Sequence, residues 1–261
     1  MRGPIFDPAV PDQARVYNYL LGGKDNFAAD RQAGNTLMDP ATGHPGMRKL
    51  AKENRAFVLS AVAWVARNHR TAQFIDAGCG LPLAPSVHDA ARDVIPGAAV
   101  AYVDRDPLVV SHVRALEATG PGLAAVHADI TEPAAVLGDP ALTAVIDFAE
   151  PVAVIFGATL SHMPAETAEK VVAAFTSALA PGSAVVVSCA HFDDAVLAGR
   201  IAAMFGDASS WQNHGPEAIA GFFGAAGLRL IRDIGDVRCW PLLPSGNGRT
   251  ARIVGGVGIK P

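Results

Sequence analysis

The sequence F-I-D-A-G-C-G runs from Phe74 to Gly80 and contains an apolar run that leads into two glycines. Apolar residues over 72–76 predict a buried strand, and the glycines that follow predict a tight turn. Such a turn lets the backbone approach a ligand that a Cβ atom would exclude, and open α/β sheets bind ligands at the carboxyl ends of their strands. The stretch therefore predicts a binding site at the end of the first strand.

On either side of this stretch, short apolar runs alternate with helical patterns. We predict strands at 72–76, 99–104, 123–128, 151–156 and 183–190, with helices near 84–94, 107–118, 131–138 and 165–179 between them. Two more strand-like runs, 228–238 and 250–259, follow a helix at 216–226, and the short connection P-L-L-P-S-G-N-G favours an antiparallel pair. The prediction is an α/β protein with a doubly wound, mostly parallel seven-stranded sheet and an antiparallel final strand.

The beginning of the chain has a different pattern. Helical patterns at 12–21 and 27–38 precede a break rich in proline and glycine, after which a longer amphipathic helix is predicted over 47–68. The sequence thus divides into an N-terminal helical segment, 1–46, and an α/β domain, 47–261.

Composition and charge restrict the classes of partner. The 261 residues carry 21 Lys and Arg against 25 Asp and Glu, a formal net charge of −4, and half of them are apolar. The chain is therefore globular, and it offers no general attraction to the phosphates of nucleic acids. The longest apolar run, 151–160, is about half of the ~20 residues that a membrane-spanning helix needs, and the N-terminus has no secretory pattern. We expect a cytoplasmic protein that binds neither nucleic acid nor membrane.

The cysteines and histidines form no metal-binding pattern. Cys79, Cys189 and Cys239 are far apart, which argues against a disulfide framework and against a thiolate zinc site. The eight histidines show no H-x-H or H-x-x-x-H spacing. We expect no metal ion in the site.

The glycine turn narrows the ligand to two classes of cofactor. A dinucleotide favours a third glycine at its pyrophosphate, but Leu81-Pro82-Leu83 follows here, and the negative charge of Asp76 would repel a phosphate. S-adenosylmethionine has no phosphate, and a carboxylate favours its ammonium and sulfonium. The residues therefore favour S-adenosylmethionine over NAD or NADP, and a purely structural glycine turn is the remaining alternative.

Two further carboxylates end the next two strands. Asp104 can accept hydrogen bonds from ribose hydroxyls, while Asp106, before a proline, is better suited to capping the following helix. Asp129 can accept the exocyclic amine of adenine, with the Ile130 N–H available to a ring nitrogen, although a helix cap is an equal alternative. Acidic residues at three successive strand ends favour one common site.

Taken together, these motifs resemble a known family of enzymes. D-A-G-C-G (76–80), Y-V-D-R-D-P (102–107) and H-A-D-I (127–130) are similar to the cofactor motifs of class I S-adenosylmethionine-dependent methyltransferases. The segments A-R-V-Y-N-Y-L-L-G-G-K-D-N-F-A-A-D-R (14–31) and E-N-R-A-F (53–57) resemble the actinobacterial S-adenosyl methyltransferase family, whose members mostly lack an assigned substrate. The resemblance implies a Rossmann-like fold and S-adenosylmethionine as the cofactor.

The resemblance also implies the residues of the cofactor site. Those expected to line it are Asp76, Ala77, Gly78, Gly80, Asp104, Arg105, Asp129 and Ile130. Arg55 is expected to bind the methionine carboxylate, with a solvated helix position as the alternative, and Gly157 to approach the methyl end. The sequence departs from the family at Leu83, where threonine is usual, and at Arg105, where asparagine is frequent.

By analogy with other methyltransferases, the N-terminal segment is expected to form a lid. Gly22-Gly23 would act as its hinge, and Tyr17, Tyr19 or Asn26 would close over the site.

The best-placed general base is His162 in L-S-H-M-P, just after the fourth strand, and an ordinary loop histidine is the alternative. His191, after the fifth strand, is a second candidate, and an N-P-P-Y-type motif is absent. We therefore expect methyl transfer from S-adenosylmethionine to a small-molecule acceptor. The alternatives are an NAD(P)-dependent oxidoreductase and a non-catalytic S-adenosylmethionine-binding protein, and the sequence does not predict the oligomeric state.

Overall fold

The computed structural model describes residues 7–204, 211–241 and 249–261. Its helices are α1 (Gln13–Leu21), α2 (Ala28–Met38), α3 (Met47–His69), α4 (Val87–Arg92), α5 (Pro107–Leu116), α6 (Pro133–Leu137), α7 (Pro140–Thr143), α8 (Ala165–Ala178), α9 (Ala195–Met204) and α10 (Pro216–Ala225). Its strands are β1 (Gln73–Ala77), β2 (Ala99–Asp104), β3 (Leu123–His127), β4 (Ala153–Gly157), β5 (Ala184–Phe192), β6 (Arg229–Leu230), β7 (Gly235–Asp236) and β8 (Ala251–Ile259). Two 3₁₀ turns, Leu160–His162 and Val237–Cys239, follow β4 and β7.

The strands form one mixed sheet. β1 to β5 are parallel and lie in the order β3-β2-β1-β4-β5, and β8 then pairs antiparallel with β5 along its whole length. The other edge of β8 carries both β6 and β7. Because β6 and β7 occupy successive parts of this edge, the sheet is seven strands wide. The predicted Rossmann-like fold with an antiparallel final strand is confirmed.

Helices cover both faces of the sheet because the strands are apolar throughout and successive side chains point to opposite faces. In β4, Ala153 and Ile155 pack on one face, Val154 and Phe156 pack on the other, and all four are buried. The first face is covered by α1 to α5 and α9, and the second by α6, α7, α8 and α10. The strand order reverses between β1 and β4, which is where open α/β sheets place their ligand crevice.

The end of the chain departs from the prediction. We predict one strand over 228–238, but the structure has β6, β7 and the second 3₁₀ turn there. Between β6 and β7 the side chain of Ile234 packs on β8, where a Cβ atom at Gly256 would lie 2.6 Å from the Ile234 Cδ1 atom. The edge strand is interrupted where this isoleucine occupies the space beside the glycine. Most of the predicted connection, 242–248, lies outside the described residues.

The N-terminal segment packs on the same face as α3. Val16 and Leu20 of α1 and Leu37 of α2 belong to the core that α3 shares with the sheet. Within the segment, the Arg15 Nε atom donates to Asp30 Oδ2 at 2.9 Å, and both side chains are almost fully buried. A buried ion pair therefore holds α1 against α2.

Candidate active site

A cleft opens at the carboxyl ends of β1 to β4, and we call it the strand-end cleft. Its walls come from four strand ends and from α1, namely Asp12, Gln13, Ala14, Tyr17, Gly78, Cys79, Gly80, Asp104, Arg105, Asp106, Ala128, Asp129, Ile130, Thr131, Gly157, Ala158, Thr159, His162 and Met163. The parallel topology brings these residues together although they are distant in sequence.

The turn after β1 forms the floor of the cleft. Gly78 and Gly80 have φ angles of +78° and +66°, a region that side chains other than glycine rarely adopt. A Cβ atom on Gly78 would lie 2.4 Å from the Thr159 Cγ2 atom, whereas one on Gly80 would meet no atom within 4 Å. Gly78 is thus required for packing, and Gly80 leaves open space for a ligand.

Asp104 lies where β2 ends and lines the cleft. Its Oδ2 atom accepts the Gly80 N–H at 3.0 Å, and its Oδ1 atom accepts the Asp106 N–H at 2.9 Å. Burial raises the pKa of the Asp104 carboxyl, the hydrogen bonds from the Asp106 and Gly80 N–H groups partly oppose the increase, and the negative charges of Asp106 and Asp12 add to it. Each carboxylate oxygen keeps a lone pair for a ligand hydroxyl. Asp106 caps α5 by accepting the Leu108 N–H, as predicted.

Asp129 and Ile130 follow β3 on the same side of the cleft. Asp129 Oδ1 accepts both the N–H and the hydroxyl of Thr131, and Asp129 Oδ2 lies 3.7 Å from Arg105 Nη1. Partial burial raises the pKa of Asp129, but the Thr131 hydrogen bonds and the Arg105 charge together hold it below its usual value. The Ile130 N–H finds no acceptor among the described residues. A ligand amine and a ring nitrogen would therefore find an acceptor and a donor side by side.

Three predicted site residues do not line the cleft. Ala77 belongs to the buried core, and Asp76 is only 6% exposed. Burial raises the pKa of Asp76 to about 6, with Arg55 opposing the increase and Asp104 adding to it. The Arg55 Nη2 atom donates to the carbonyls of Leu83 and Pro85 at 2.8 and 2.7 Å, so this guanidinium holds the loop after the glycine turn. The contact of Arg55 with a methionine carboxylate stays a prediction.

The N-terminal segment supplies one wall of the cleft. The Tyr17 hydroxyl donates to the Ala51 carbonyl at 3.1 Å and accepts from Asn54 Nδ2 at 2.8 Å, and Asn54 Oδ1 accepts the Ser188 hydroxyl. This chain of hydrogen bonds joins α1 to α3 and β5. Of the three residues predicted to close over the site, Tyr17 lines the cleft and Tyr19 and Asn26 do not.

Tyr19 and Asn26 make other contacts. The Tyr19 hydroxyl donates to Asn35, and the Asn26 amide donates to Asn18 and to the Gly23 carbonyl. Local sequence places all three candidates on the same segment, but only the packing of α1 on α3 distinguishes Tyr17 from the others.

The turn after β4 forms the far end of the cleft. Gly157, Ala158, Thr159 and His162 all line it, and His162 belongs to the first 3₁₀ turn. Ala158 has a φ angle of +63°, a strained conformation for a residue with a Cβ atom. His191, the second candidate base, does not line the cleft, and its Nε2 atom lies 3.2 Å from Asp193 Oδ1. The geometry therefore favours His162.

A second cavity adjoins this end, and we call it the apolar cavity. Its lining consists of Gln13, Val16, Tyr17, Leu20, Leu37, Met47, Leu50, Ala51, Asn54, Ala158, Ser161, His162, Ala190, Ile201, Trp211 and Ile253. Four of these residues, Gln13, Tyr17, Ala158 and His162, also line the strand-end cleft. A reactant in the apolar cavity would thus face a cofactor in the cleft.

The described residues contain neither a metal-binding cluster nor a membrane-spanning helix. They contain no cluster of three His, Cys, Asp or Glu side chains arranged for a metal ion. Over the same ranges, every helix is too short or too polar to cross a lipid bilayer. Cys79 and Cys189 are free thiols, and burial raises the pKa of both.

Comparison with known proteins identifies the family. A family model described as S-adenosyl methyltransferase matches residues 3–241, which is most of the chain. The chain belongs to the S-adenosyl methyltransferase family. A Thermobifida fusca YX protein assigned to the methyltransferases is 33% identical with a TM-score of 0.84, over 97% of this chain and 96% of that one. A DUF574 family protein from Streptomyces avermitilis MA-4680 is 29% identical with a TM-score of 0.87, over 99% and 100% of the two chains.

This S-adenosyl methyltransferase also shares its fold with more distant enzymes. Magnesium protoporphyrin IX methyltransferase from Synechocystis PCC 6803, with S-adenosylmethionine bound, is 17% identical with a TM-score of 0.50, and each chain is covered completely. No curated protein matches the chain. The resemblance drawn from the motifs is confirmed, and the cofactor is S-adenosylmethionine rather than a nicotinamide dinucleotide.

Proposed function

We propose that this methyltransferase holds S-adenosylmethionine in the strand-end cleft and methylates a small molecule in the apolar cavity. The observation that carries the proposal is the meeting of the two cavities at Gln13, Tyr17, Ala158 and His162. Methyl transfer requires donor and acceptor in line at short range, and two cavities that share a wall allow this arrangement.

The residues of the cleft fit the cofactor. Asp104 is proposed to accept the ribose hydroxyls, and Asp129 the adenine amine, while the Ile130 N–H donates to a ring nitrogen. The open space above Gly80 admits the cofactor close to the backbone. The proposed roles of Asp76, Ala77 and Arg55 are indirect, because none of the three lines the cleft and Arg55 holds the loop after the glycine turn.

The chemistry divides between cofactor and protein. S-adenosylmethionine supplies an electrophilic methyl carbon, and when its C–S bond breaks the electron pair stays on a sulfur that becomes neutral. Alignment therefore provides much of the catalysis, and a base is needed only for a protonated acceptor. His162, at the junction of the two cavities, is proposed to accept that proton.

The N-terminal segment, 1–46, is proposed to cover the cleft as a lid. Support comes from α1, which lines both cavities, and from the hydrogen bonds of Tyr17 to α3. We further propose a cytoplasmic protein without nucleic-acid partners, which agrees with the acidic net charge of −4 and with two unpaired thiols.

A thermal shift experiment tests the site. S-adenosylmethionine and S-adenosylhomocysteine should raise the melting temperature of the full chain, because a ligand that binds only the folded state stabilises it. Asp104→Asn should weaken both shifts, whereas Asp139→Asn, at the start of α7 and outside the cleft, should leave them unchanged. Equal shifts of the melting temperature in both variants would contradict the assignment of Asp104. A second assay, which follows transfer of a labelled methyl group, distinguishes an enzyme from a protein that only binds the cofactor.

A further inference from the structure

We propose that the acceptor is an uncharged single-ring compound that is methylated on a hydroxyl group. This inference rests on the proposed function, and it assigns the apolar cavity a class of substrate. Three observations carry it, namely the charge, the size and the polar groups of the cavity wall.

The first observation is the absence of charge. Among the described residues that line the apolar cavity there is no Lys, Arg, Asp or Glu. An ammonium or carboxylate that entered would lose its hydration without gaining a counter-charge, which is costly. Amines and carboxylic acids are mostly ionised at neutral pH, whereas alcohols and phenols are not. The wall therefore selects a neutral acceptor, and a hydroxyl oxygen is a nucleophile that stays neutral at this pH and can give its proton to His162 at the junction.

The second observation is size. The cavity has a volume of about 90 Å³. An engineered cavity of about 150 Å³ in another protein holds benzene, so this cavity takes part of one ring, and the rest must reach the junction with the strand-end cleft. A fused two-ring body needs still more room, so we expect it to fit less well than a single ring behind the junction. Met47 and Trp211 are among the bulky side chains that set this limit.

The third observation is a polar group in the wall. The hydroxyl of Ser161 is buried and has no hydrogen-bonding nitrogen or oxygen among the described residues; it lies near the Cys189 thiol, a weak partner. A buried hydroxyl without a strong partner is a site that a ligand oxygen would satisfy. The Ser161 oxygen is turned towards the Cys189 thiol and away from the open space of the cavity, and a rotation about the Ser161 Cα–Cβ bond would let it bind the acceptor oxygen beside His162.

The transfer at this junction needs a methyl donor and an acceptor for one proton. The hydroxyl proton of the acceptor passes to the His162 imidazole, and an oxygen lone pair forms the new O–C bond to the methyl group. The C–S bond breaks and its electron pair remains on sulfur, which gives a methyl ether and S-adenosylhomocysteine. The imidazolium then loses its proton to water. No further oxidant, reductant or metal is required.

The test compares acceptors that differ in charge and size. Phenol, benzoate, benzylamine and 2-naphthol are incubated with the purified full chain and S-adenosylmethionine labelled in its methyl group. We expect phenol to be methylated at least 100-fold faster than benzoate or benzylamine, and at least tenfold faster than 2-naphthol. With S-adenosylhomocysteine bound, phenol should raise the melting temperature and benzoate should not, which gives a readout independent of turnover.

Variants locate the acceptor. Met47→Ala should enlarge the cavity and raise the rate with 2-naphthol about tenfold, whereas Met38→Ala, a partly buried methionine outside the lining, should not. Ser161→Ala should raise KM for phenol about three- to tenfold with little change in kcat, as expected for a lost hydrogen bond to a bound ligand.

The outcomes distinguish the two proposals. If S-adenosylmethionine neither binds nor donates its methyl group, the proposed function fails. If it binds and benzoate or benzylamine is methylated as fast as phenol, or no neutral ring is methylated, only the assignment of the acceptor is overturned. Equal effects of Met47→Ala and Met38→Ala on 2-naphthol would show that the acceptor does not occupy the apolar cavity.

Discussion

Gly80 is the residue at which the backbone and the proposed cofactor come closest. Its φ of +66° disfavours a side chain, yet a Cβ atom there would point into open space. Gly80→Ala should therefore cost roughly 1–2 kcal/mol of unfolding free energy through strain and weaken S-adenosylmethionine binding at least tenfold. Gly97→Ala is a matched control, because Gly97 has a φ of +84° and open space but lies outside the cleft.

Calorimetry and urea unfolding of the two glycine variants check this prediction. Similar losses of unfolding free energy with a loss of affinity only in Gly80→Ala would support the cleft as the cofactor site. An unchanged affinity in Gly80→Ala would place the cofactor elsewhere.

His162 carries the proposed chemistry. His162→Gln should lower kcat for a hydroxyl acceptor by about 10²- to 10⁴-fold, the usual contribution of a general base, and should flatten the dependence of kcat on pH. Affinity for S-adenosylmethionine should change little. His112→Gln, on α5, is the control, since His112 bonds a carbonyl of its own helix and lies outside both cavities. A variant with the wild-type kcat and pH profile would mean that alignment alone drives the transfer.

Residues at strand ends were predictable, and residues whose position depends on packing were not. The cleft contains Asp104, Asp129 and His162. Their positions were predictable because each stands at or after the end of a strand, and the apolar pattern of the sequence marks those ends. Arg55 was placed by analogy, but its long side chain reaches two carbonyls of the next loop. Asp76 follows the same pattern as Asp104, yet it is buried behind the glycine turn.

At the scale of elements, the buried pair of Arg15 and Asp30 decides whether α1 can line the site. Besides Arg15, Asp30 accepts the N–H groups of Asp12 and Phe27, so one carboxylate organises the whole turn region. Asp30→Ala leaves a buried guanidinium without its counter-charge and should cost about 3–5 kcal/mol of unfolding free energy. It should also weaken S-adenosylmethionine binding, because α1 forms a wall of the cleft.

Asp25→Ala provides the comparison for this variant. Asp25 is exposed on the same segment, and its replacement should change the unfolding free energy by less than about 0.5 kcal/mol. Denaturant unfolding and calorimetry measure both effects. Full cofactor affinity in Asp30→Ala, with the expected loss of stability, would show that the N-terminal segment is not part of the cofactor site.

The bounds of helices and strands were predictable where one hydrophobic pattern runs through the whole element. The five parallel strands are continuous apolar runs because both faces of the sheet are covered, and each lies within two residues of its predicted bounds. The sequence analysis predicts no helix at α9, which contains Gly199, and it predicts an unbroken edge strand where the structure has an interruption near Ile234. Both features depend on tertiary packing. Local sequence does not encode such packing.

At the scale of the whole molecule, the doubly wound topology explains why the two cavities meet. The strand order reverses between β1 and β4, so the loops after these strands diverge and leave a crevice at their carboxyl ends. The cleft lies across this crevice, and the apolar cavity lies between β5, α1 and α3 on the face that the N-terminal segment covers. The same segment thus completes the core and forms part of the wall around the proposed acceptor.

The same burial makes the stability of the whole molecule depend on pH. Burial raises the pKa of Asp76 to about 6 and that of Glu117 to about 7, and repulsion from Asp76 adds to the increase at Glu117. For both groups the pKa in the folded state exceeds the pKa in the unfolded state. At a pH between these two pKa values, the folded protein therefore binds more protons than the unfolded protein does. The stability that each group contributes is therefore complete below about pH 4 and is lost as the pH rises through 6 to 7.

Replacing one of these carboxyls should remove its share of the dependence. Glu117→Gln should raise the unfolding free energy at pH 8 by on the order of 1–3 kcal/mol and flatten its decline between pH 4 and 8, because no charge then has to be buried. Glu132→Gln, on the exposed turn before α6, should leave the profile unchanged. Urea unfolding across this range measures both variants. A Glu117→Gln profile as steep as that of the wild type would mean that Glu117 is ionised at little cost in the folded protein, and that water reaches the space behind the glycine turn.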